Sequence, residues 1–219
     1  MRRIGLGFIL FLLVFMLLAG AAQAQERLIV YSDFGNPDNH FFHKAAFFSE
    51  GGLAYLPVMD EKWKENVHSG STAIQCQFEV RVNNWGGWYF QNGILQEGAK
   101  ALAANWGTFP DAGLYLSEFS KLSFWARGEK GGEQVEFFCL GIGRDSEGVK
   151  TEDYPDSCPK MTTDKIVTAL KTEWTQYTID LRGCDLSYVL GGFGWAASAL
   201  GNTGESSITI YLDDITYEK

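Results

Sequence analysis

Two adjacent acids lie near the end of the C-terminal segment SSITIYLDDITYEK, residues 206–219. Apolar residues alternate from Ile208 to Leu212, which is the two-residue period of a strand with one packed face. If the alternation continues, Asp214 follows Leu212 onto the packed side and Asp213 faces away. A carboxylate on a packed face loses its hydration and is costly unless another group compensates its charge. The pattern therefore raises the question of which group compensates the charge of Asp214.

Side chains that could act in catalysis occur without the spacing that catalysis requires. The chain contains no G-x-S-x-G nucleophile motif and no E-x-D pair of acids on one strand. The one S-x-x-K, at residues 157–160, lies in a proline-containing loop. His40 and His43 are three residues apart without a third metal ligand, and Glu79 and Glu136 lie on polar strand faces. The sequence therefore predicts a protein without catalytic activity of its own.

The elements that must position these residues are predicted to be strands. Six segments combine alternation with β-branched or aromatic residues, and they are 28–34, 71–82, 121–128, 133–143, 172–181 and 207–217. Turns are predicted at four glycine pairs, which are 51–52, 86–87, 131–132 and 191–192. Residues 94–104 are the best candidate for a helix, although Gly98 weakens it. Many strands with few short helices in loops indicate an all-β, antiparallel jelly-roll β-sandwich.

The first 24 residues have the composition of a signal peptide. Arg2 and Arg3 precede a long apolar run, and residues 22–24 (Ala-Gln-Ala) form an A-x-A cleavage site. The alternative is an uncleaved transmembrane anchor, and the small-residue cleavage site argues against it. We therefore expect a single domain over residues 25–219, secreted or periplasmic, without membrane insertion of the mature chain.

The charge of the mature chain limits its partners. Removal of the leader takes two of the 18 basic residues and none of the 27 acidic ones, so the formal net charge changes from −9 to −11. Binding to nucleic acid or to anionic lipid requires clustered Lys and Arg. We expect neither as a main partner.

Four cysteines follow the leader, at positions 76, 139, 158 and 184. An even number in an exported chain favours two disulfides. No C-x-x-C occurs among them, so a zinc site of the usual spacing is not predicted. Three pairings are open, with a preference for Cys139 with Cys158, which would tie a polar loop to the preceding strand. The alternative is that some of the four stay free thiols.

Five sequence segments follow one another along the chain in the order YSDFG, HSGSTAIQCQF, LSFWARGEKGGEQVEFF, TEWTQYTIDLRGCDLSYVLGGFGW and ITIYLDDITYE. In that order they resemble the galactose-binding-like β-sandwich of secreted bacterial carbohydrate-binding modules. The likeness covers most of residues 28–218. It implies a non-catalytic exported module that binds a polysaccharide or other glycan, alone or in support of a separate carbohydrate-active enzyme.

The resemblance also implies a structural calcium ion (Ca2+) at one edge of the sandwich. Such modules hold the ion with an acid near the first strand, with carbonyls of the loop before the next long strand, and with an acid on the last strand. The matching positions here are Asp33, loop 69–71, and Asp213 or Asp214. Calcium takes about six to eight oxygen ligands and would compensate the inward acid, for which strand phase favours Asp214. The alternative is that both acids are solvated at a strand end.

A glycan site needs aromatic rings that stack on the C–H faces of sugars, with polar side chains beside them. The stretch NNWGGWYFQN, residues 83–92, supplies three rings among Asn and Gln side chains. In KLSFWARG, residues 121–128, alternation places a Trp and an Arg opposite a core-like face. The alternative for each ring is that it fills the core. The predicted ligand contacts are Trp85, Trp88, Tyr89, Trp125, Arg127 and Trp195.

Two other classes of function stay open on the sequence. One is a secreted protein-interaction or structural β-sandwich without a sugar site, and the other is a glycan-active hydrolase or lyase with an unrecognised acid pair. Retardation by soluble polysaccharides would separate a glycan binder from the first class. Release of reducing ends or unsaturated products would reveal the second.

Overall fold

The structure, a computed structural model, describes residues 27–49, 56–165 and 167–219, and the predicted signal peptide and the glycine pair 51–52 lie outside them. Over these ranges the chain forms strands and no helix. Accordingly, this part of the chain contains no helix that is long and apolar enough to cross a membrane. The strands are β1 (Arg27–Tyr31), β2 (His43–Phe48), β3 (Val58–Trp63), β4 (Ala73–Glu79), β5 (Trp85–Gln91), β6 (Lys121–Gly128), β7 (Gln134–Cys139), β8 (Met161–Thr162), β9 (Thr168–Ala169), β10 (Thr175–Asp180), β11 (Gly191–Ser198) and β12 (Ser207–Glu218).

Two six-stranded sheets make up the fold. The first sheet has the order β10-β6-β12-β4-β3, with β1 also paired to β12. The second sheet has the order β2-β5-β11-β7-β8, with β9 also paired to β7. Every strand pair is antiparallel. The predicted all-β antiparallel sandwich is confirmed.

Aromatic rings fill the space between the two sheets. The ring of Phe124 on β6 lies 4.8 Å from that of Phe137 on β7 and 5.0 Å from that of Phe193 on β11, measured between centroids. All three side chains are fully buried. Since side chains alternate along a strand, each inward ring leaves its neighbours in sequence on the outer face of its sheet.

The strand predictions hold where alternation is regular. The six predicted segments correspond to β1, β4, β6, β7, β10 and β12, mostly with narrower bounds. The predicted helix at 94–104 is wrong, because Ile94 and Ala103 exchange two backbone hydrogen bonds of 2.9 Å in an antiparallel bridge. Gly98 between them has φ +77°, which is outside the helical range.

Two of the predicted glycine turns are wrong, because these glycines lie inside strands. Gly86 and Gly87 belong to β5, and Gly191 and Gly192 belong to β11. A Cβ atom at Gly87 would overlap the carbonyl oxygen of Trp195, and one at Gly192 would overlap the ring of Phe41. The glycines therefore permit a close approach of backbone and ring rather than a reversal of the chain.

Of the two adjacent acids of β12, Asp213 is the buried one. It precedes a β-bulge, pairs with Trp125 in regular register and so lies on the outer face of the sheet, where loop 68–72 covers it. The bulge follows, because the pairing of β12 with β6 shifts between Asp213 and Thr216, and Asp214 has φ +47°. Asp213 is fully buried and Asp214 is partly exposed, so the prediction that Asp214 is the inward acid is wrong.

All four cysteines are free thiols in the structure, so the predicted disulfides are not confirmed. The sulfur atoms of Cys158 and Cys184 are 2.8 Å apart. The sequence-based preference was for Cys139 with Cys158, and that pair is not the one in contact. Cys76 lies on β4 opposite Met59 of β3 and Ile210 of β12.

Candidate functional site

The acids of the β12 bulge contact loop 68–72, which precedes β4. The carboxylate of Asp213 accepts the backbone N–H groups of His68 at 3.1 Å and Ser69 at 3.2 Å. The carboxylate of Asp214 contacts Nδ1 of His68 at 2.7 Å and accepts the Ser69 hydroxyl at 3.0 Å. The ligand atoms of His68, Asp213 and Asp214 all lie within 4.8 Å of one another, which is a spacing that could hold a metal ion.

The electrostatics of this cluster favour a compensating positive charge. Burial raises the pKa of Asp213 to about 6, and the neighbouring charge of Asp214 adds to the rise. The backbone N–H donors of Ser69 and His68 oppose it. A bound cation would relieve both the burial cost and the repulsion between the two carboxylates.

Asp33 contacts the same loop but lies outside the cluster. One carboxylate oxygen of Asp33 accepts the backbone N–H groups of Ser71 at 2.7 Å and Thr72 at 2.8 Å, as well as both hydroxyls. These hydrogen bonds lower the pKa of Asp33, with that from the Ser71 backbone contributing most. The three acids predicted as calcium ligands therefore converge on loop 68–72. The group close enough to share one ion contains His68 in place of Asp33.

The ring of Trp125 is covered by the same loop. Its centroid lies 3.9 Å from that of the His68 ring, with an angle of 19° between the planes. The ring of Trp174 lies against His68 from another side, at 5.8 Å. Trp125 does lie on the outer face of the first sheet, as predicted, but the face of its ring that stacks on His68 is not open to a ligand.

The outer face of the second sheet has a connected set of aromatic rings, called here the aromatic face. The ring of Phe47 lies 6.2 Å from Trp85, 6.0 Å from Tyr89 and 6.1 Å from Phe138. Tyr89 in turn lies 6.1 Å from Trp106, which belongs to the loop after β5. Trp85 is 49% exposed and Trp106 is 38% exposed, whereas Phe138 is covered. The two outermost rings are therefore the accessible ones.

A glycine of β11 and one ion pair lie against the aromatic face. A Cβ atom at Gly194 would overlap the ring of Phe138, so only a residue without a side chain fits at this position of β11. The Lys160 ammonium lies 4.4 Å from the centroid of the Phe138 ring and pairs with Glu136 at 2.6 Å. The aromatic face is thus bordered by a charged donor and a charged acceptor.

The structure does not bring the six predicted ligand residues together. Trp195 is fully buried in the core, and Trp88 packs on the core with its indole N–H bonded to the Pro57 carbonyl at 2.8 Å. These two predictions are wrong, because both side chains point between the sheets. The other four divide between the two outer faces, with Trp85 and Tyr89 on the second sheet and Trp125 and Arg127 on the first.

Several residues of these faces escaped the sequence reasoning. Phe47 and Phe138 lie on strand faces that read as apolar, and Trp106 lies in a loop without a periodic pattern. On the first sheet, Tyr211 and Trp63 lie together at a centroid distance of 5.7 Å. Alternation along β12 places Tyr211 opposite the core positions and was the one available signal.

The comparisons with known proteins concern the fold. No protein-family model and no curated protein matches the chain. A family 11 carbohydrate-binding module from Clostridium thermocellum, solved with a β-1,3-1,4-mixed-linked tetrasaccharide, is similar with TM-score 0.52 and 10% identity over 88% of this chain and 95% of that one. A structure that describes promiscuous specificity in carbohydrate-binding modules of the β-sandwich superfamily has TM-score 0.51 and 9% identity over 86% and 63%. The predicted jelly-roll sandwich of such modules is confirmed as the fold.

Proposed function

We propose that this protein is an exported, non-catalytic glycan-binding module whose aromatic face binds a polysaccharide. The observation that carries the proposal is the connected run of rings from Trp85 through Phe47 and Tyr89 to Trp106. A contiguous group of aromatic rings that reaches solvent at both ends, at Trp85 and Trp106, is unusual on a protein surface and indicates a binding site. The signal-peptide composition of residues 1–24 supports export.

Sugar rings fit this surface for two physical reasons. Their C–H faces are apolar and stack on flat aromatic rings, and their hydroxyls need polar partners at the edge of the stack. The Lys160–Glu136 pair supplies one donor group and one acceptor group beside the rings. The similar modules of known structure bind glycans, which supports the same ligand class here. A separate carbohydrate-active enzyme acting on the same polysaccharide is the partner that this role implies.

Affinity electrophoresis over a panel of soluble polysaccharides tests the proposal. We expect at least one neutral polysaccharide to retard the wild-type protein and Trp85→Ala to reduce its affinity about tenfold, since a stacked ring contributes on the order of 1–2 kcal/mol. Phe34→Ala is the matched control, because Phe34 is 51% exposed and contacts Lys62 rather than the aromatic face. Equal loss in both variants, or no retardation by any glycan, would favour the protein-interaction class.

We further propose that a calcium ion binds at the β12 bulge. The carboxylates of Asp213 and Asp214 are of the donor type that calcium prefers, and they lie close enough to share an ion. The imidazole of His68 is not a preferred calcium ligand, so further oxygens must come from elsewhere. Bound there, the ion would supply a positive charge that links β12 to loop 68–72.

A further inference from the structure

A polar groove crosses the outer face of the first sheet, on the side of the sandwich opposite the aromatic face. Its volume is about 330 Å³. This lies within the range of roughly 300–1,000 Å³ that is typical of small-molecule sites. Its lining includes Trp63, Gln75, Gln77, Arg127, Glu129 and Tyr211.

Strand register builds the floor of this groove. Tyr211 of β12 pairs directly with Gln75 of β4 on one side and with Arg127 of β6 on the other. Directly paired side chains on one face of a sheet are in contact range. The guanidinium of Arg127 accordingly lies 3.9 Å from the centroid of the Tyr211 ring, and the amide nitrogen of Gln75 lies 3.4 Å from its hydroxyl. The three side chains therefore form one preorganised surface.

Arg127 is a buried cation that forms no ion pair within the described ranges of the chain. It is 8% exposed, and its Nη1 donates to the Gly128 carbonyl at 3.3 Å. Its Nε has no hydrogen-bond partner among the described residues, and no carboxylate of that part of the chain lies within ion-pair distance. Stacking on Tyr211 and Trp174 holds the guanidinium in place but satisfies none of its N–H groups. The enclosed Nε lies out of reach of a ligand. Arg127 does line the groove, so its terminal N–H groups favour a ligand that accepts hydrogen bonds.

The acceptors of the groove lie beside this donor. The carboxylate of Glu129 accepts the Tyr211 hydroxyl, and Glu65 also lines the groove. A guanidinium only donates, a carboxylate only accepts, and the amides of Gln75 and Gln77 do both. The group that complements all of them is a hydroxyl, because it accepts from the guanidinium and donates to the carboxylate.

The mixed charges of the groove favour a neutral ligand over an anionic or a cationic one. An anionic ligand would lie near the carboxylates of both Glu65 and Glu129, and a cationic one would lie near Arg127. The ring of Trp63 closes one side and is held by a 2.7 Å hydrogen bond from its indole N–H to the Glu65 carbonyl. An aromatic wall beside mixed donors and acceptors fits a neutral, polyhydroxylated ring.

We propose that this groove is a second saccharide site, which binds a neutral pyranose unit against Trp63 with its hydroxyls on Arg127, Glu129 and Gln77. Only the choice of ligand class rests on the proposed function, because the groove and the aromatic face share no residue. Two sites on opposite faces make one chain bivalent. The protein then bridges two glycan chains, which strengthens attachment without any new contact.

Isothermal titration with neutral tetrasaccharides (mixed-linked β-gluco-, manno- and xylo-oligosaccharides) separates the two sites. We expect two equivalents to bind to the wild type, Trp85→Ala to keep the groove site, and Trp63→Ala to keep the aromatic face. Each variant should weaken its own site at least tenfold, and Trp63→Phe should restore most of the groove affinity. Should Trp63→Ala fail to fold, Glu129→Gln, which removes only the charge of the acceptor, replaces it.

The outcomes distinguish this proposal from the proposed function. One equivalent bound by the wild type, and none by Trp85→Ala, would overturn the groove site and leave the aromatic face intact. Binding that Trp63→Ala abolishes and Trp85→Ala leaves unchanged would support the groove and overturn the aromatic face. Preference of the groove for a uronic acid tetrasaccharide would overturn the neutral ligand class, and absence of any binding would overturn both proposals. As a further check, wild-type protein should cross-link a soluble polysaccharide and either single variant should not.

Discussion

Asp156 is a fully buried carboxylate that ties a loop to the start of β11. It accepts the backbone N–H groups of Ile142 at 2.6 Å and of Gly191 at 3.3 Å, together with that of Leu190. Burial raises the pKa of Asp156 from its ordinary value of 3.8 to about 7, against the effect of those donors. The folded state therefore binds a proton more readily than the unfolded state between these two values.

The pH dependence of stability follows from that difference. Because the folded pKa is raised, the contribution of Asp156 to the free energy of unfolding falls as the pH rises from about 4 to about 7. We expect wild-type protein to lose a few kcal/mol of stability relative to Asp156→Asn across this window. Urea denaturation of both proteins at several pH values measures the difference. Parallel stability curves would show that Asp156 titrates alike in the folded and unfolded states.

The calcium ion proposed at the β12 bulge gives a second prediction about single residues. Calcium at a hundredfold excess over its Kd should stabilise the folded protein by about 2.7 kcal/mol, which is roughly 5–10 °C in Tm. Asp213→Asn should abolish this response, since Asp213 is the buried acid of the cluster. The Asp33→Asn variant tests whether Asp33 is also a ligand. Its Tm should still rise with calcium if the cluster of His68, Asp213 and Asp214 holds the ion without Asp33. A wild-type Tm that is unmoved by chelator would exclude the cation.

At the scale of single residues, the sequence predicts a site only where alternation is regular. It placed Trp125 and Arg127 correctly on the outer face of β6, because β6 has no irregularity. It did not predict that Asp213 is the buried acid, because Asp213 lies on the outer face and is covered there by loop 68–72, which is distant in sequence. The bulge at Asp214 also leaves no mark in the pattern of apolar residues. The cover of Trp125 by His68 joins residues far apart in the chain, and no local pattern encodes such a contact.

At the scale of elements, the wrongly predicted turns lie at glycines. β5 and β11 pair along their whole length at the centre of the second sheet, yet their glycines look like turn signals. The physical reason is that rings on both faces of this sheet lie across bare backbone, as Phe138 does over Gly194. The sequence shows that a glycine has no side chain, but it does not show which aromatic ring packs over that glycine.

Two loops, one between β7 and β8 and one between β10 and β11, offer a prediction about a covalent link. The thiols of Cys158 and Cys184 lie in contact, whereas Cys76 lies on β4 beside Met59. We expect the first two to lose two protons and two electrons to an oxidant such as oxidised glutathione and to form one disulfide. Closing a loop of this length stabilises a protein by about 3 kcal/mol.

Thiol titration in denaturant after oxidation measures the number of bridges. Two remaining thiols, with a Cys158–Cys184 peptide in the digest, are the expected result. Cys184→Ser should remove the gain in stability on oxidation, whereas Cys76→Ser should leave that gain in place. Finding Cys139 linked to Cys158 instead would mean that the loop rearranges before it is oxidised.

At the scale of the whole molecule, net charge predicts which class of glycan the proposed sites would bind. Without residues 1–24, the predicted signal peptide, the chain has 16 basic residues against 27 acidic ones. The cations at the edges of the second sheet are engaged, because Lys160 pairs with Glu136 and Lys44 pairs with Glu61 at 2.7 Å. A polyanionic glycan therefore meets net repulsion on approach, whereas a neutral one meets none.

The salt dependence of binding tests this reasoning directly. Between about 0.01 M and 0.15 M salt the screening length falls from about 30 Å to about 8 Å, so only charge-driven binding should change over that range. Retardation by a neutral polysaccharide should stay constant, because stacking and uncharged hydrogen bonds carry it. Polygalacturonate should give no retardation at the low-salt end, where repulsion reaches furthest. If polygalacturonate retarded the protein and this retardation weakened as salt was added, the protein would have a basic binding site. Binding would then depend on charge rather than on the aromatic rings of the two outer faces.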